Sequence, residues 1–195
     1  MFQIKEIVNS IFKSVTYILY SENKTNAWLV DIGDIEPIKS FLDKEHLGVE
    51  GVFLTHAHFD HIYGLLSLIK YYPTCCVYAT PYTRIALASD KLNLSRYSGR
   101  PIQYDGKNVV VVHDKDDMVL FDNEPKMEFY ETPGHNPGCL TMVLGDLIFT
   151  GDAYIPGVKV NTSLPFANKD DARTSLNRIQ ELSAGKIILP GHYVL

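Results

Sequence analysis

The sequence has 195 residues, 46% of them hydrophobic and 21% charged, so we expect a single compact domain over residues 1–195. The net charge is −5 without a block of like charges, which argues against nucleic acid as a partner. No stretch reaches the roughly 18 apolar residues of a membrane span, and the N-terminal residues lack a secretory-signal pattern, so we expect no membrane association.

The first part of the chain predicts a β-hairpin and then alternating strands and helices. Val15, Tyr17 and Leu19 alternate along a strand, and the turn residues 21–25, Ser-Glu-Asn-Lys-Thr, separate them from the apolar run Ala27–Val30. The alternation of helices and strands after this hairpin favours a sheet with helices on its outer face. The predicted elements are a helix carrying Ile35, Ile38, Phe41 and Leu42 and closed by Gly48, a strand Gly51–Leu54, a helix His61–Lys70, a strand Cys75–Ala79 and a helix opened by Pro81.

The second part of the chain is dominated by short strands between turn residues. The predicted strands are Val109–Val112, Met118–Phe121, Met127–Glu131, Cys139–Leu144, Leu147–Thr150 and Ile187–Leu189, with a helix Ala172–Leu182 before the last of them. Each part then supplies one sheet with a helical outer face. The natural assembly is an α+β fold in which two sheets pack face to face between layers of helices.

The three cysteines are not spaced as a disulfide framework, since Cys75 and Cys76 are adjacent. We therefore expect reduced thiols in a cytoplasmic protein. Cys139 lies four residues after His135, which leaves a metal role open. A small buried residue that enters a strand is the favoured interpretation of Cys139.

The densest cluster of polar side chains is Thr-His-Ala-His-Phe-Asp-His at residues 55–61, directly after the apolar run 52–54. His56 and His58 are two residues apart, so on an extended strand end their rings point the same way. Asp60 and His61 come where the chain turns into a helix and aim a second pair of donors at a neighbouring point. A bound divalent cation would offset the desolvation and mutual repulsion of these groups. The segment therefore predicts a metal site.

Three later segments share one design, in which an apolar strand is followed by glycine and a potential ligand. They are Gly134-His135, Gly151-Asp152 and Gly191-His192. Glycine before the donor lets the backbone turn tightly and approach an ion, and strand ends are where convergent sites are usually built. Together with residues 55–61 these donors suffice for two metal ions. His46 and His113 lack the pattern and are expected to be surface or core residues.

The ordered set His-x-His-x-Asp-His, Gly-His, Gly-Asp and a late Gly-His, preceded by Asp31 in Val-Asp-Ile-Gly, resembles the metallo-β-lactamase-fold hydrolase superfamily over essentially the whole chain. The phrase Thr-Pro-Gly-His-Asn-Pro-Gly at residues 132–138 is similar to the small glyoxalase II-like and thioesterase-like branch. The resemblance implies a four-layer αββα sandwich. It also implies a dinuclear metal site at the edge between the two sheets.

The resemblance further implies how the ligands divide between two ions. His56, His58 and His135 would bind the first ion, Asp60, His61 and His192 the second, and Asp152 would bridge the two. Two Zn²⁺ ions are expected, although histidine and carboxylate ligands also suit iron and manganese. Asp31 resembles a buried aspartate that orients a ligand or a loop, and capping of the turn after its strand is an equally open alternative.

Such a site predicts hydrolysis of a small molecule. Two ions about 3.5–4 Å apart hold a bridging hydroxide, because they lower the pKa of water from about 15.7 toward about 7. Asp60 is expected to orient this nucleophile and to move its proton to the leaving group. The expected substrate is a small thioester, ester or lactone. A β-lactamase role is not expected, because Asp152 takes the position where the commonest β-lactamase subclass has a cysteine.

Other functions stay open from the sequence. A mononuclear iron dioxygenase acting on a persulfide belongs to the same superfamily, but the presence of His61 and His192 favours two metals. A phosphodiesterase of the tRNA-processing kind is disfavoured by the acidic charge and the short chain. A non-catalytic domain stabilised by metal would not need Asp60. The oligomeric state is left open between a monomer and a homodimer.

Substrate recognition is expected from loops near the site. The segments Leu94–Lys107 and Ile155–Lys169 are predicted to cover the cleft. Tyr193 is predicted to donate a hydrogen bond to an oxyanion or leaving group, with Tyr154 as a second candidate and wall packing as the alternative for both. Because the sequence stops three residues after His192, we expect no helical glutathione-binding domain like that of full glyoxalase II enzymes. Three cations are candidates for binding an anionic substrate group or for solvated surface charge: Arg96, Arg100 and Lys159.

Overall fold

The computed structural model describes residues 2–22 and 25–193, and in these ranges the chain forms eleven strands and five α-helices. The strands are β1 (Phe2–Val8), β2 (Val15–Ser21), β3 (Asn26–Val30), β4 (Gly48–Phe53), β5 (Cys76–Ala79), β6 (Val109–Val111), β7 (Asp117–Met118), β8 (Met127–Glu131), β9 (Leu140–Leu144), β10 (Leu147–Gly151) and β11 (Ile187–Pro190). The helices are α1 (Ile35–Lys44), α2 (Phe59–Ile62), α3 (Leu65–Tyr71), α4 (Pro81–Leu87) and α5 (Lys169–Leu182). None of these helices is long and apolar enough to cross a membrane.

The strands form two sheets, with the order β1-β2-β3-β4-β5-β6 in the first and β11-β10-β9-β8-β7 in the second. Antiparallel pairing of β2 with β3 confirms the predicted hairpin. Two residues of its predicted turn, Asn23 and Lys24, lie outside the described residues. β3, β4, β5 and β6 pair in parallel, whereas the second sheet is antiparallel except between β10 and β11.

Alternating side chains bury both faces of the first sheet. On β3, Trp28 and Val30 pack between the two sheets, while Ala27 and Leu29 pack toward α1 and α3. Period-two alternation produces this division, because successive side chains of a strand point to opposite faces. Phe53 of β4 joins the layer between the sheets, where apolar residues of both sheets meet.

The second sheet is covered in the same way by the last helix. Ile179 of α5 packs against Val143 and Ile148, which face away from the first sheet. The neighbouring residues Met142 and Phe149 face the first sheet instead. The layers are therefore helix, sheet, sheet and helix, which confirms the predicted αββα sandwich.

Several predicted element boundaries were wrong for physical reasons. The first helix ends at Lys44, and His46 makes the turn with a positive φ of 56°, so Gly48 begins β4 rather than closing the helix. The strand predicted over Met118–Phe121 is only the two-residue β7. β6 lies in the first sheet beside β5, not with the strands of the second part, and β1 was not predicted.

The predicted helix His61–Lys70 is broken into α2 and α3 at Gly64. The amide of Gly64 donates to the carbonyl of Ile32 at 3.2 Å, and the amide of Ile32 donates to the carbonyl of His61 at 2.9 Å. A Cβ at position 64 would lie 2.1 Å from the carbonyl oxygen of Gly33, so only glycine allows this close approach. These backbone contacts lie where α2 ends, at Ile62, and they fix the position of the preceding residue, His61.

Candidate metal centre

The polar side chains singled out in the sequence come together at one edge of the sandwich. β8, β10 and β11 run in the same direction in the second sheet, so their C-terminal ends share an edge. His135 comes after β8, Asp152 after β10, and His192 after β11. The segment 56–61 leaves β4 of the first sheet and enters α2 at the same edge.

His56, His58 and His135 form the first group of possible ligands, with donor atoms within 4.8 Å of one another. All three are buried, at 0%, 4% and 4% exposure. Nδ1 of His58 lies 2.9 Å from Nε2 of His135. Nε2 of His56 is buried and has no hydrogen-bond partner among the described residues.

Asp60, His61 and His192 form the second group. Nε2 of His192 lies 3.1 Å from Nε2 of His61 and 3.1 Å from Oδ2 of Asp60. His61 is fully buried, whereas the side chains of Asp60 and His192 are 14% and 16% exposed. The second group therefore lies nearer the solvent than the first.

Asp152 lies between the two groups. Its Oδ2 is 3.4 Å from Nε2 of His135 in the first group. Its Oδ1 is 3.3 Å from Nε2 of His192 and 3.4 Å from Nε2 of His61 in the second group, yet makes no hydrogen bond of ordinary geometry with the described residues. One carboxylate thus faces donors of both groups.

In His61, His135 and His192, the ring nitrogen that faces away from the centre contacts a protein oxygen. Nδ1 of His61 lies 2.8 Å from Oδ2 of Asp31, and Nδ1 of His135 lies 2.9 Å from the carbonyl of Asn161. Nδ1 of His192 lies 2.9 Å from the carbonyl of Phe12. Partners of this kind fix the tautomer and the orientation of a metal-binding histidine.

Asp31 is buried and adopts a left-handed φ of 57° directly after β3. Its two oxygens accept hydrogen bonds from the amide and the hydroxyl of Thr55, both at 2.8 Å. Nδ1 of His56 in turn lies 3.1 Å from the same hydroxyl. Asp31 therefore connects the end of β3 to the histidine motif after β4, and contacts His61 directly.

The loop 9–14 also belongs to the site, although no motif marks it in the sequence. The hydroxyl of Ser14 donates to the carbonyl of Asp60 at 2.7 Å, and the amide of Val15 donates to the carbonyl of Gly191 at 2.8 Å. With the Phe12 carbonyl on His192, this loop contacts two ligand-bearing segments. Its only sequence signal is the polar pair Asn9-Ser10 between two apolar strands, and β1 was not predicted.

The histidines of the two groups differ in their pKa values. Burial lowers the pKa of His56 well below its usual value, lowers that of His58 to about 3 and also lowers that of His135. Burial opposes charge on His192 as well, but the nearby carboxylates of Asp152 and Asp60 outweigh it and raise the pKa to about 10. Asp60, Asp152 and Asp31 likewise outweigh burial at His61 and raise its pKa.

The donor set fits divalent metal ions. Tetrahedral ligands at about 2.0–2.1 Å from an ion lie about 3.3–3.4 Å apart, and the Asp152 oxygens lie 3.3–3.4 Å from three imidazole nitrogens. The buried, unpartnered Nε2 of His56 is a second indication, because a buried polar atom normally has a partner. Imidazole and carboxylate donors suit zinc, iron and manganese.

Position 191, directly after β11, has no room for a Cβ atom and therefore requires glycine. A Cβ at this position would lie 2.3 Å from Oδ1 of Asp152 and 2.9 Å from Cε1 of His61. Glycine therefore permits a close backbone approach here, but to the carboxylate of Asp152, and the predicted approach of the backbone to an ion stays a prediction.

A cleft of about 560 Å³ opens beside the centre and is bordered by Asp60, Asp152, His58, His135 and His192. Residues from both predicted cover segments line it, together with Phe12 from the loop 9–14. The contribution of the two segments confirms their predicted position, whereas that of Phe12 was missed.

The two tyrosines predicted as reaction partners lie outside the wall of this cleft. The hydroxyl of Tyr193 donates to Glu6 on β1, and burial together with this bond raises its pKa to about 12. A catalytic role for Tyr193 stays a prediction, and it would require this hydrogen bond to break. Tyr154 packs with Cys139 in the apolar cluster beneath α5. This matches the favoured interpretation of Cys139 as a small buried residue, but Tyr154 does not pack on the cleft wall as its alternative expected.

Residues 14–192 match the family model described as the Metallo-beta-lactamase superfamily. This chain belongs to that superfamily. The match spans all seven candidate ligands, from His56 to His192.

Two similar proteins are hydroxyacylglutathione hydrolases, the glyoxalase II enzymes. The protein from Pseudoalteromonas translucida is 27% identical over 157 residues, which are 80% of this chain and 52% of that protein. The hydroxyacylglutathione hydrolase 1 from Vibrio vulnificus is 25% identical over 187 residues, which are 95% of this chain and 65% of that protein. The chain thus spans between half and two thirds of the length of these relatives.

Two solved structures share the fold across almost their whole length. The chain resembles BLEG-1, described as a B3 metallo-beta-lactamase, with a TM-score of 0.87 and 27% identity, covering 100% of this chain and 92% of that one. It resembles TTHA1623 in a di-iron-bound form with a TM-score of 0.81 and 25% identity, covering 97% and 92%. A protein of the same fold and similar length is thus known with two iron ions bound.

Proposed function

We propose that the chain is a dinuclear metal-dependent hydrolase of small thioesters, with esters and lactones as related substrates. The observation that carries the proposal is the convergence of seven donors into overlapping groups beside an open cleft. A site that only stabilised the fold would have no need to expose Asp60 and His192 to that cleft. Hydroxyacylglutathione hydrolase relatives support the thioester class.

We propose that zinc fills both positions, with His56, His58 and His135 around one ion and Asp60, His61 and His192 around the other. Asp152, which faces both groups, would be shared between them. The same donors suit iron, and the di-iron form of TTHA1623 makes iron the first alternative. The presence of a complete second group supports two ions rather than one.

Divalent ions bound in such a site would supply Lewis acidity and would lower the pKa of a bound water toward about 7. Asp60 lines the cleft with one oxygen toward His192, so we propose that it takes the proton of the attacking water and delivers it to the leaving group. In the reaction a C–O bond forms and the C–S bond breaks, and the products are a carboxylic acid and a thiol.

We further propose that residues 1–195 fold as one domain in the cytoplasm. The apolar layer between the sheets contains residues from Val15 to Leu189, which supports one folding unit. A small molecule is the proposed partner, and a homodimer stays a prediction.

The proposed function is tested by measuring thioester hydrolysis with purified protein loaded with zinc or with iron. The panel holds acyl thioesters, including S-lactoylglutathione, an ester, a lactone, a β-lactam and glutathione persulfide with oxygen. Thioester turnover that chelation abolishes and zinc restores is the expected result. Oxygen-dependent persulfide consumption with iron alone would replace the proposal with a dioxygenase. Turnover of the β-lactam alone would replace the proposal with a β-lactamase activity, the class that is named for BLEG-1.

A further inference from the structure

The cleft beside the candidate metal centre has an apolar wall. Away from the metal-facing donors, its surface is built mainly from Phe12, Phe59, Leu94, Tyr97, Leu164 and Pro165. Ser98 and Asn161 are the uncharged polar members of the wall, and the carbonyl of Asn161 lies against His135. A volume of about 560 Å³ is typical of a small-molecule site.

No lysine or arginine from residues 2–22 and 25–193 lines this cleft. Of the candidate cations, Arg96 pairs with Asp90 at 2.7 Å, and Lys159 lines a separate recess of about 50 Å³ that also reaches His135 and Asp152. The charged groups that border the cleft are the carboxylates and histidines of the centre. A substrate carboxylate lying against this apolar wall would therefore lose part of its hydration without gaining a cation.

Two aromatic side chains are unusually exposed where they border the cleft. Phe12 is 74% exposed and Tyr97 is 72% exposed. Phe12 and Leu94 also have positive φ angles, of 51° and 63°, which non-glycine residues adopt only where the surroundings impose them. The contact of the Phe12 carbonyl with Nδ1 of His192 holds that loop against the centre. Two segments with a constrained backbone, around Phe12 and around Leu94, thus contribute to the apolar wall.

We propose that the substrate carries an uncharged apolar substituent, which lies in this cleft against Phe12, Tyr97 and Leu164. The inference rests on the proposed thioester hydrolase function and names its substrate class. A thiol with carboxylates and an ammonium group, such as glutathione, finds no matching charges in this wall. The substituent belongs to the acyl part or to the thiol part of the thioester, and the experiment separates these two sources.

The first experiment measures kcat/KM for two thioester series with the metal-loaded protein. One series lengthens the acyl chain from acetyl to octanoyl on N-acetylcysteamine, and the other keeps an acetyl group and lengthens an S-alkyl chain. In one of the two series kcat/KM is expected to rise roughly two- to fourfold for each methylene. S-lactoylglutathione is expected to be a poorer substrate than the longest member of that series. Flat profiles in both series would overturn the inference while leaving the proposed function intact.

The second experiment assigns the effect to the cleft. Tyr97→Ala is expected to lower kcat/KM for the longest substrate roughly tenfold and to change that for the shortest by less than about twofold. Tyr71→Ala, which removes a tyrosine exposed at 45% on α3 outside the cleft, is the matched control and should leave both values unchanged. Leu164→Lys is expected to improve turnover of an acyl chain that ends in a carboxylate. Equal loss across chain lengths in Tyr97→Ala would overturn the assignment.

A binding readout separates failure of this inference from failure of the proposed function. Saturation-transfer NMR is recorded on protein as purified with a non-hydrolysable octyl thioether of N-acetylcysteamine. Transfer to the octyl methylenes that weakens in Tyr97→Ala supports the apolar cleft even if no thioester is hydrolysed. Absence of transfer in the wild-type protein would overturn the inference even if hydrolysis is observed.

Discussion

The two ligand groups of the candidate centre differ in how the protein holds them. In the first group, His56 and His58 come directly from the end of a central strand, and no member is more than 4% exposed. In the second group, the side chains of Asp60 and His192 are 14% and 16% exposed, and Nδ1 of His192 contacts the carbonyl of Phe12 in the loop 9–14. The first group is thus the more buried of the two, and each group contains one histidine that contacts a loop carbonyl, Asn161 at His135 and Phe12 at His192.

The groups also differ in charge. Burial lowers the pKa of each imidazole in the first group and keeps it neutral, so the lone pairs are free for an ion. His61 and His192 lie among carboxylates that favour their protonated form, so an ion at the second group displaces protons. The comparison predicts that the first group is better prepared to bind an ion and that ion binding at the second group would require protons to leave.

The largest expected effect comes from the carboxylate that faces both groups. Asp152→Asn keeps the shape of the side chain but removes its charge, so we expect thioester turnover to fall at least about 10³-fold, which is about 4 kcal/mol. Metal content should fall below one ion per chain after dialysis. Asp146→Asn, at an exposed position between β9 and β10, is the control and should keep both activity and metal. Retention of two ions by Asp152→Asn would contradict the proposal that Asp152 is shared between the two ions.

Loss of one histidine from each group sharpens the comparison directly. His192→Ala removes a ligand of the second group only, so we expect one ion to stay bound after dialysis. His135→Ala removes a ligand of the first group, and we expect the residual ion to bind weakly. Titration with zinc, followed calorimetrically, measures both affinities. Equal weakening in the two variants would show that the groups do not differ in the way their burial indicates.

Asp31→Asn tests how the surroundings orient the ligands. The carboxylate accepts from Thr55 and contacts His61, so its loss should weaken metal binding about 10- to 100-fold, mainly at the second group. The free energy of unfolding without metal, measured by urea denaturation, should fall by about 1–3 kcal/mol, because a buried hydrogen bond is lost. Unchanged zinc affinity would leave Asp31 with the turn-capping role only.

The smallest expected effect lies far from the centre, on the outer helical layer. Arg178 of α5 forms two contacts with Asp114, at 2.6 and 3.1 Å, and holds the pKa of that carboxyl below its usual range. Both groups are about one third exposed, so Asp114→Asn should cost about 0.5–1 kcal/mol at pH 7.

A lowered folded-state pKa contributes stability above the unfolded-state value of about 3.9 and loses it as pH falls through the folded-state value. The difference between wild type and Asp114→Asn in urea denaturation should therefore shrink as pH falls from about 5 to about 3. Asp117→Asn, in the exposed pair with Lys126, is the control and should show a smaller difference. A difference independent of pH would contradict the role of this ion pair.

Much of the fold was predictable because its signals are local. The apolar residues Ala27, Trp28, Leu29 and Val30 are typical of a strand buried on both faces, as the structure has it, and Pro81 marks the start of α4. The break at Gly64 was missed because it depends on the backbone of residues 32–33, which is distant in sequence. The membership of β6 in the first sheet is a tertiary pairing that no local pattern encodes.

The candidate ligands were predictable because each lies beyond the end of a strand and three of the seven come directly after a glycine. What the sequence could not show is which groups hold them in place. The Phe12 carbonyl that contacts His192 is a backbone atom of a loop without a motif. The partner of Tyr193 is Glu6, on a strand that was not predicted, so its distance from the cleft wall could not be foreseen.

The central claim is that two groups of ligands bind two ions, and metal content measures it most directly. Elemental analysis of protein purified without added metal is carried out on the wild type and on His192→Ala. We expect about two ions per chain, with zinc predominant, in the wild type and about one in His192→Ala. A single iron per chain in the wild type, unchanged in His192→Ala, would contradict the claim and would favour oxygen-dependent sulfur chemistry.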